Sequence, residues 1–297
     1  MKTILVTGAT GFLGHHIVEE LLKKNDNRVI AIEGRKEDRA FNLPQHERLV
    51  TYPSGVLYTE LIQPIDVAIN CAFLRTQNTE LMTLNFDNTE HEIFRFEKLK
   101  IDTVINISTQ GVYKRLPAGT LSSEDSPIAP IDMYSMSKYA TEKMFKLSSI
   151  PHVINVRLAS LMMSQRFLYH FVQCAKKGES FDVVAPKQYA SLLDVNDAAA
   201  GLAAIASMTH EKHYTVYNLG PGMQHSLLDY AESVKRIGAN FGYDVEFDVD
   251  DNRLTICAGM DCTKLMHDTG WKPKVLKDEM ITRLFEEPLI EDDENRI

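Results

Sequence analysis

The sequence predicts a doubly wound α/β protein, a parallel central sheet with a smaller C-terminal lobe, and three observations predict it. Short apolar runs rich in Val and Ile alternate with helical spacings along most of the chain. The first run, Ile4-Leu5-Val6, stops at a turn with glycines at 8, 11 and 14 and passes directly into helical spacing through Leu13, Ile17, Leu21 and Leu22. With 297 residues and 44% hydrophobic content, the chain can bury a full core and leave material for a second lobe.

The segment Gly8-Ala9-Thr10-Gly11-Phe12-Leu13-Gly14 reads as strand, tight turn, helix. The three glycines respectively permit the turn, let backbone approach a pyrophosphate, and pack helix against strand. Free amides at the helix start face the anion. The next strand, Arg28 to Ile32, ends at Glu33, nineteen residues past Gly14. A carboxylate there accepts hydrogen bonds from adenosine ribose hydroxyls. At about 5 Å and an effective dielectric near 20 it also opposes each charge of a 2'-phosphate by roughly 3 kcal/mol. NAD is therefore expected over NADP, while Arg35 and Lys36, either of which could reach a 2'-phosphate, keep NADP open.

Leu49 to Tyr52 and Asp66 to Ala72 read as the third and fourth strands, and Thr103 to Ile107 as a buried fifth that delivers Ser108 and Thr109 at its carboxyl end. Ligands bind such sheets at that end. The Pro-rich stretch 117–130 is a loop, and a helix opens at Met133. Tyr134 and Lys138 lie one turn apart on its face. Using a phenolate near neutral pH means lowering a pKa of about 10 by about 3, roughly 4 kcal/mol. A neighbouring ammonium and a cationic nicotinamide ring favour the charged form.

Val153 to Arg157 reads as the sixth strand, Asp197 to Met208 as an Ala-rich helix and Tyr214 to Gly220 as the last strand of the sheet. Ser226 is placed to cap a helix through Leu227, Tyr230, Val234 and Ile237, and Val245, Phe247 and Val249 alternate as in a half-exposed strand. The domain reading is a discontinuous sheet domain, 1–157 and 190–220, a substrate lobe, 158–189 and 221–285, and an acidic tail, 286–297. Met162, Met163 and Met223 read as packing residues of the lobe.

A formal net charge of −9 excludes extended nucleic-acid binding, which needs a concentrated basic face. The chain enters a strand at once, without a signal-peptide h-region, and no apolar run reaches membrane-spanning length, so a soluble cytoplasmic protein is expected. Cys71, Cys174, Cys257 and Cys262 show no C-x-x-C pairing and no zinc spacing with His; reduced thiols and no metal site are expected.

The residues resemble the extended short-chain dehydrogenase/reductase family, which includes sugar-nucleotide epimerases, dehydratases and reductases. The marks are TGATGFLG (Thr7 to Gly14), ST-x-x-VY (Ser108 to Tyr113), YSMSK (Tyr134 to Lys138) and the late D-x-x-K-L and GWKP (Asp261 to Leu265, Gly270 to Pro273). The resemblance implies that Gly8, Thr10, Gly11, Phe12, Leu13 and Gly14 hold the pyrophosphate and Glu33 the ribose. It places Cys71, Arg75, Asn85 and Ser108 against the cofactor. Tyr134 becomes the acid/base, Lys138 lowers its pKa and binds the nicotinamide ribose, and Thr109 bonds the reacting oxygen.

Departures refine this picture. Dehydratases of the family follow the threonine with an Asp-Glu pair, whereas Gln110 and Gly111 stand here, which disfavours dehydration. Asn88 replaces the glycine of an N-x-x-G-T element, Tyr52 to Leu57 lacks a recognisable adenine-reading D-x-x-D, and Ala190 stands where an arginine grips a nucleotide diphosphate. Ser160 and Arg253 are the remaining substrate candidates. The function implied is an NAD-dependent epimerase acting on a sugar, with a nucleotide sugar favoured, through a keto intermediate. The alternatives are a net dehydrogenase or ketoreductase and, from another class, a non-catalytic dinucleotide sensor. The resemblance also implies a homodimer through two helices, Phe86 to Leu99 and Tyr134 to Leu147; Met144, Phe145 and Leu147 would face either the partner or the sheet.

Overall fold

The computed structural model describes residues 1–34, 41–61, 64–76, 78–162, 166–251 and 258–287. Its elements run β1 (Lys2–Thr7), α1 (Phe12–Lys23), β2 (Asn27–Ile32), β3 (Leu49–Tyr52), β4 (Val67–Asn70), α2 (Thr79–Lys98), β5 (Thr103–Thr109), α3 (Met133–Lys146) and β6 (His152–Leu158). They continue with β7 (Ser160–Leu161), α4 (Arg166–Lys177), β8 (Phe181–Val184), β9 (Tyr189–Ala190), β10 (Leu192–Leu193), α5 (Val195–Ser207) and β11 (Tyr214–Leu219). The chain ends with β12 (His225–Ser226), α6 (Leu227–Asn240), β13 (Phe247–Asp250), α7 (Thr263–Thr269) and α8 (Lys277–Glu286).

Seven parallel strands form the main sheet in the order β11-β6-β5-β4-β1-β2-β3. The chain builds outward from β1 through β2 to β3, then returns and builds the other way from β4. The reversal between β1 and β4 leaves a crevice at their carboxyl ends, the place where such sheets take ligands. The central strands were legible because they are covered on both faces and so read as continuous apolar runs; Ile4, Leu5 and Val6 are all fully buried, whereas the edge strand β3 has no buried residue.

One face is covered by α1 and α5, whose Ile17, Leu21, Ala198, Ala199 and Leu202 share a core with β1, β4 and β6. On the other face α2 and α3 meet through Phe96 and Phe145, ring centroids 6.5 Å apart, over Leu5, Val104 and Val153. Phe145 thus faces the sheet, while Leu147, just past the helix, is 86% exposed. A third cluster joins α4, α6 and α8 to β8, with Phe171 stacked on Phe181 at 4.2 Å and Phe181 on Phe247 at 5.6 Å. The buried Lys176 ammonium caps the end of α8 by donating to the carbonyls of Leu284, at 2.7 Å, and Glu287.

Ser226 caps α6 in a reciprocal box with Asp229. Val245 is buried just ahead of β13, whereas Val249 is exposed, so the alternation read in the sequence covers only the entry to that strand. Met162 packs in the third cluster, and Met223 is exposed. Of the residues assigned to the substrate lobe, Met260, Cys262, Leu265 and Trp271 join the sheet-side core. Cys71, Cys174 and Cys262 form no disulfide, and among the described residues no helix is long and apolar enough to cross a membrane.

Candidate active site

The turn after β1 is shaped by close approach. Gly8 has φ of +63°, and a Cβ there would lie 3.0 Å from the Ala72 nitrogen. A Cβ at Gly14 would lie 2.2 Å from the Gly8 oxygen, so only glycine lets α1 start this close to the strand. Gly11 is the N-cap of α1, which has no side-chain cap and no acidic residue in its first turn. The amide end of the helix is therefore left to an anion. Phe12 and Leu13 anchor it against the core. Thr10 ties the turn to the next strand, its hydroxyl accepting from the Gly34 N–H at 2.9 Å. Glu33 follows β2 directly, beside Ala9, whose N–H donates to the Ile32 carbonyl. Arg35 and Lys36 lie outside the described residues.

On the other side of the crevice, the loop leaving β4 is clasped by Asn85 of α2. Its carboxamide accepts from the Leu74 N–H at 2.8 Å and donates to the Leu74 carbonyl at 3.0 Å, and Asn85 is 1% exposed. The polar atoms of Asn85 are thereby committed to holding Phe73 and Arg75 at the sheet edge. Phe73 stands edge-on to Tyr134, centroids 5.8 Å apart, and the Arg75 guanidinium lies 6.0 Å from the Tyr134 ring.

Asp132 starts α3 by accepting from the Ser135 N–H at 2.8 Å and from its hydroxyl at 3.0 Å. Tyr134 follows at the helix entrance and Lys138 one turn later. The Lys138 ammonium is buried, donates to the Ile107 carbonyl at 2.7 Å and lies 3.7 Å from the centre of the Phe73 ring. Burial lowers its pKa to about 7 against the pull of Cys71 and Glu142. Burial likewise pushes the Cys71 thiol up to about 12, with Lys138 acting in the opposite sense. The Tyr134 phenol is raised by burial and by Asp132, and the cation that lowers it is Arg75. The Lys138 ammonium is directed toward the Ile107 carbonyl and the Phe73 ring, and the cation 6.0 Å from the Tyr134 ring is Arg75.

Beneath α3 lies a polar floor. Glu142, fully buried, accepts from the Ser108 hydroxyl at 2.5 Å and from Arg157 through Nε at 3.0 Å and Nη2 at 2.9 Å. Arg157 also donates to the Glu124 carbonyl at 3.1 Å and stacks 4.7 Å over Tyr113, whose hydroxyl donates to Asn218 at 2.6 Å. The carboxylate holds the guanidinium protonated despite its burial. A ladder of in-register side chains, Thr7 to Asn70 at 2.9 Å, Asn70 to Asn106 at 3.2 Å and Asn106 to Asn155 at 2.6 Å, crosses the sheet on hydrogen bonds alone. Ser108 thus spends its hydroxyl under the helix. Thr109, the strand's last residue, is half-buried, and its Oγ1 accepts from the Gly111 N–H at 3.2 Å.

The structure therefore gathers the Gly8–Gly14 turn, Glu33, Cys71, Arg75, Thr109, Tyr134 and Lys138 at the carboxyl edge of the sheet. Ser160 is brought beside Thr109 by the pairing of β5 with β6 and bonds Gln110 at 2.9 Å. Arg253 lies outside the described residues. Sequence reasoning missed Phe73, Glu142 and the partnership of Arg157. Two signals were present: Glu142 repeats the four-residue step from Tyr134 to Lys138, and Arg157 is a charge inside an otherwise buried strand.

A doubly wound parallel sheet with a glycine turn at its switch point is a Rossmann-type α/β protein. Residues 4–220 match the model of the NAD dependent epimerase/dehydratase family, and the chain belongs to that family. It is similar to the low-salt glycan biosynthesis protein Agl12 of Haloferax volcanii, 25% identical over 91% of this chain and 93% of that protein. UDP-glucuronic acid decarboxylase 6 of Arabidopsis thaliana is 25% identical over 98% of this chain and 88% of that protein. Among solved structures, the UDP-glucuronic acid 4-epimerase of Bacillus cereus, in complex with UDP-glucuronic acid and NAD, superposes with a TM-score of 0.77. That likeness has 20% identity and covers 96% of this chain and 98% of that one.

Proposed function

We propose that this chain binds NAD across the crevice between β1 and β4 and acts as a nucleotide-sugar epimerase, with Tyr134 as the acid/base. The observation that carries this reading is the pairing of Tyr134 with Arg75 at the carboxyl edge of a sheet whose first helix starts uncapped. The cradle fits a dinucleotide: glycines at 8 and 14 let β1, the loop after β4 and α1 close up backbone on backbone, and the start of α1 carries no side-chain cap and no acidic first turn. Gly11 and the first amides of α1 would hold the diphosphate and Glu33 the adenosine ribose. When bound, the nicotinamide supplies a reversible hydride acceptor and donor. Thr109 holds the reacting oxygen, and the Tyr134 oxygen exchanges a proton with it as the substrate carbon passes between alcohol and ketone. Arg75 stabilises the phenolate form. In this reading 1–157 and 190–220 carry the cofactor and 158–189 and 221–285 the substrate, with Met260, Cys262, Leu265 and Trp271 of the second part packing into the core of the first.

Epimerisation is favoured over water elimination or decarboxylation by the turn after Thr109. Gln110 brings an amide rather than an acid, and a Cβ at Gly111 would sit 2.3 Å from the Ser135 hydroxyl, which Asp132 holds in place. A carboxylate at position 111 therefore has no room. The exposed Leu81, Leu84, Phe94, Met133 and Met136 on α2 and α3 support a homodimer through those helices, and a monomer by light scattering at micromolar concentration would refute it. The reading is tested by incubating the protein with NAD and a panel of nucleotide sugars. Epimers without net cofactor reduction support it; stoichiometric reduced cofactor indicates a dehydrogenase, and an eliminated or decarboxylated product overturns the epimerase assignment.

A further inference from the structure

We propose that Phe73 is a positioning residue for Lys138: its ring covers the ammonium, and a dinucleotide in the crevice reaches that charge only by displacing the ring. The inference rests on the dinucleotide reading above. The Lys138 ammonium lies 3.7 Å from the centre of the Phe73 ring and donates to the Ile107 carbonyl at 2.7 Å. Lys138 is 5% exposed while Phe73 is half-buried, so of the two the ring is the one that meets solvent. The same ring stands edge-on to Tyr134, centroids 5.8 Å apart. One aromatic side chain therefore touches both residues of the α3 pair.

Its place in the chain puts Phe73 beside the ligand path. Ala72, the residue before it, backs the β1–α1 turn: a Cβ at Gly8 would lie 3.0 Å from the Ala72 nitrogen. A dinucleotide laid from that turn toward Tyr134 runs past Phe73. Asn85 holds the N–H and the carbonyl of Leu74, so the backbone just after the ring is pinned and the ring moves by its own side-chain torsions. An aromatic face stabilises an ammonium that has lost its water, but a hydroxyl or phosphate oxygen is the stronger partner for a charged N–H. Exchange of ring for ligand oxygen is thus favourable, at the cost of turning one side chain.

The cover is tested in the ligand-free protein by amine-reactive labelling from about pH 6 to about pH 10, read at Lys138 by mass spectrometry. Wild type should label slowly, with a midpoint near the value of about 7 that burial gives this amine between Cys71 and Glu142. Phe73→Ala admits water and reagent: the plateau rate should rise about tenfold and the midpoint should climb toward the ordinary lysine value. Phe73→Leu keeps an apolar cover and removes the aromatic face, so labelling should stay slow while the midpoint falls below that of wild type. In a calorimetric titration Phe73→Ala should bind NAD about tenfold more tightly, because the closed ring no longer competes with the ligand. A wild-type Lys138 that labels as fast as an exposed lysine, or Phe73 variants with the wild-type rate and midpoint, overturns the cover. Unchanged or weaker NAD binding by Phe73→Ala overturns the displacement. Both results leave the dinucleotide reading standing. NAD binding by neither protein defeats that reading and the displacement with it, while the labelling still decides the cover.

Discussion

The β1–α1 turn takes its shape chiefly from close backbone approach, with the Thr10 hydroxyl tying it to Gly34, whereas the floor beneath α3 holds its shape with side chains drawn from distant parts of the chain. At the turn, Gly8 and Gly14 permit contacts of backbone on backbone that any Cβ would block. At the floor, Glu142 of α3, Arg157 of β6, Ser108 of β5 and the carbonyl of Glu124 are joined into one buried network. The turn donates its Ala9 and Gly11 N–H groups to the Ile32 and Gly8 carbonyls and leaves the start of α1 without a side-chain cap. The floor is assembled over long sequence separations, and its Ser108, Glu142 and Arg157 side chains are buried. The difference teaches that binding and positioning are divided: one region is kept unsatisfied so that it can bind, the other is satisfied so that Tyr134 and Lys138 stand still.

Breaking each side of that division should give a different signature. Tyr134→Phe removes the proposed proton carrier and leaves the turn intact, so turnover should fall about 10³-fold while NAD binding, followed by fluorescence titration, stays near wild type. Glu142→Ala strands a buried guanidinium and should cost about 3–5 kcal/mol in a denaturant titration, with turnover falling as α3 loosens. An effect of the order of a surface ion pair would mean that the floor is not what fixes the helix.

Lys138→Met probes the same floor with a sign that depends on pH. Burial puts the lysine at about 7, below its ordinary value, so between those two values the unfolded chain binds a proton that the folded chain does not. Wild-type stability therefore rises with pH through that window, and the penalty for charging the buried amine is fully present only below it. The variant, freed of the penalty, should show its best stability relative to wild type below pH 7, with the difference shrinking by several kcal/mol as pH climbs toward ten. A pH-independent difference would contradict the burial argument. The smallest effect belongs to the edge of the turn region. Arg75→Ala removes the cation that lowers Tyr134, so the rising limb of kcat/KM against pH should move to higher pH.

The same contrast explains what could be read beforehand. The strands and the glycine turn were legible because burial on both faces demands β-branched runs and a close backbone approach demands glycine. That Tyr134 and Lys138 stand one turn apart on a single helix was legible from their spacing. The capping of α6 by Ser226 was legible because it is contained within four residues. The floor was not, since nothing near Arg157 names Glu142, and Asn218 meets Tyr113 and Glu124 only after β11 has paired with β6. Phe73 next to Ala72 reads as one more loop aromatic until the fold sets it between Tyr134 and Lys138. The packing of Phe145 on Phe96 depends on α2 and α3 lying side by side, which no local pattern specifies.

The most direct measurement is the fate of deuterium placed on the substrate carbon that bears the reacting hydroxyl, with NAD-loaded protein in ordinary water. Reversible hydride transfer at the Tyr134 centre predicts an epimer that keeps the deuterium on that carbon and forms more slowly than from unlabelled sugar. Loss of the label to solvent would contradict the account, because it would mean that the bond is broken by proton abstraction.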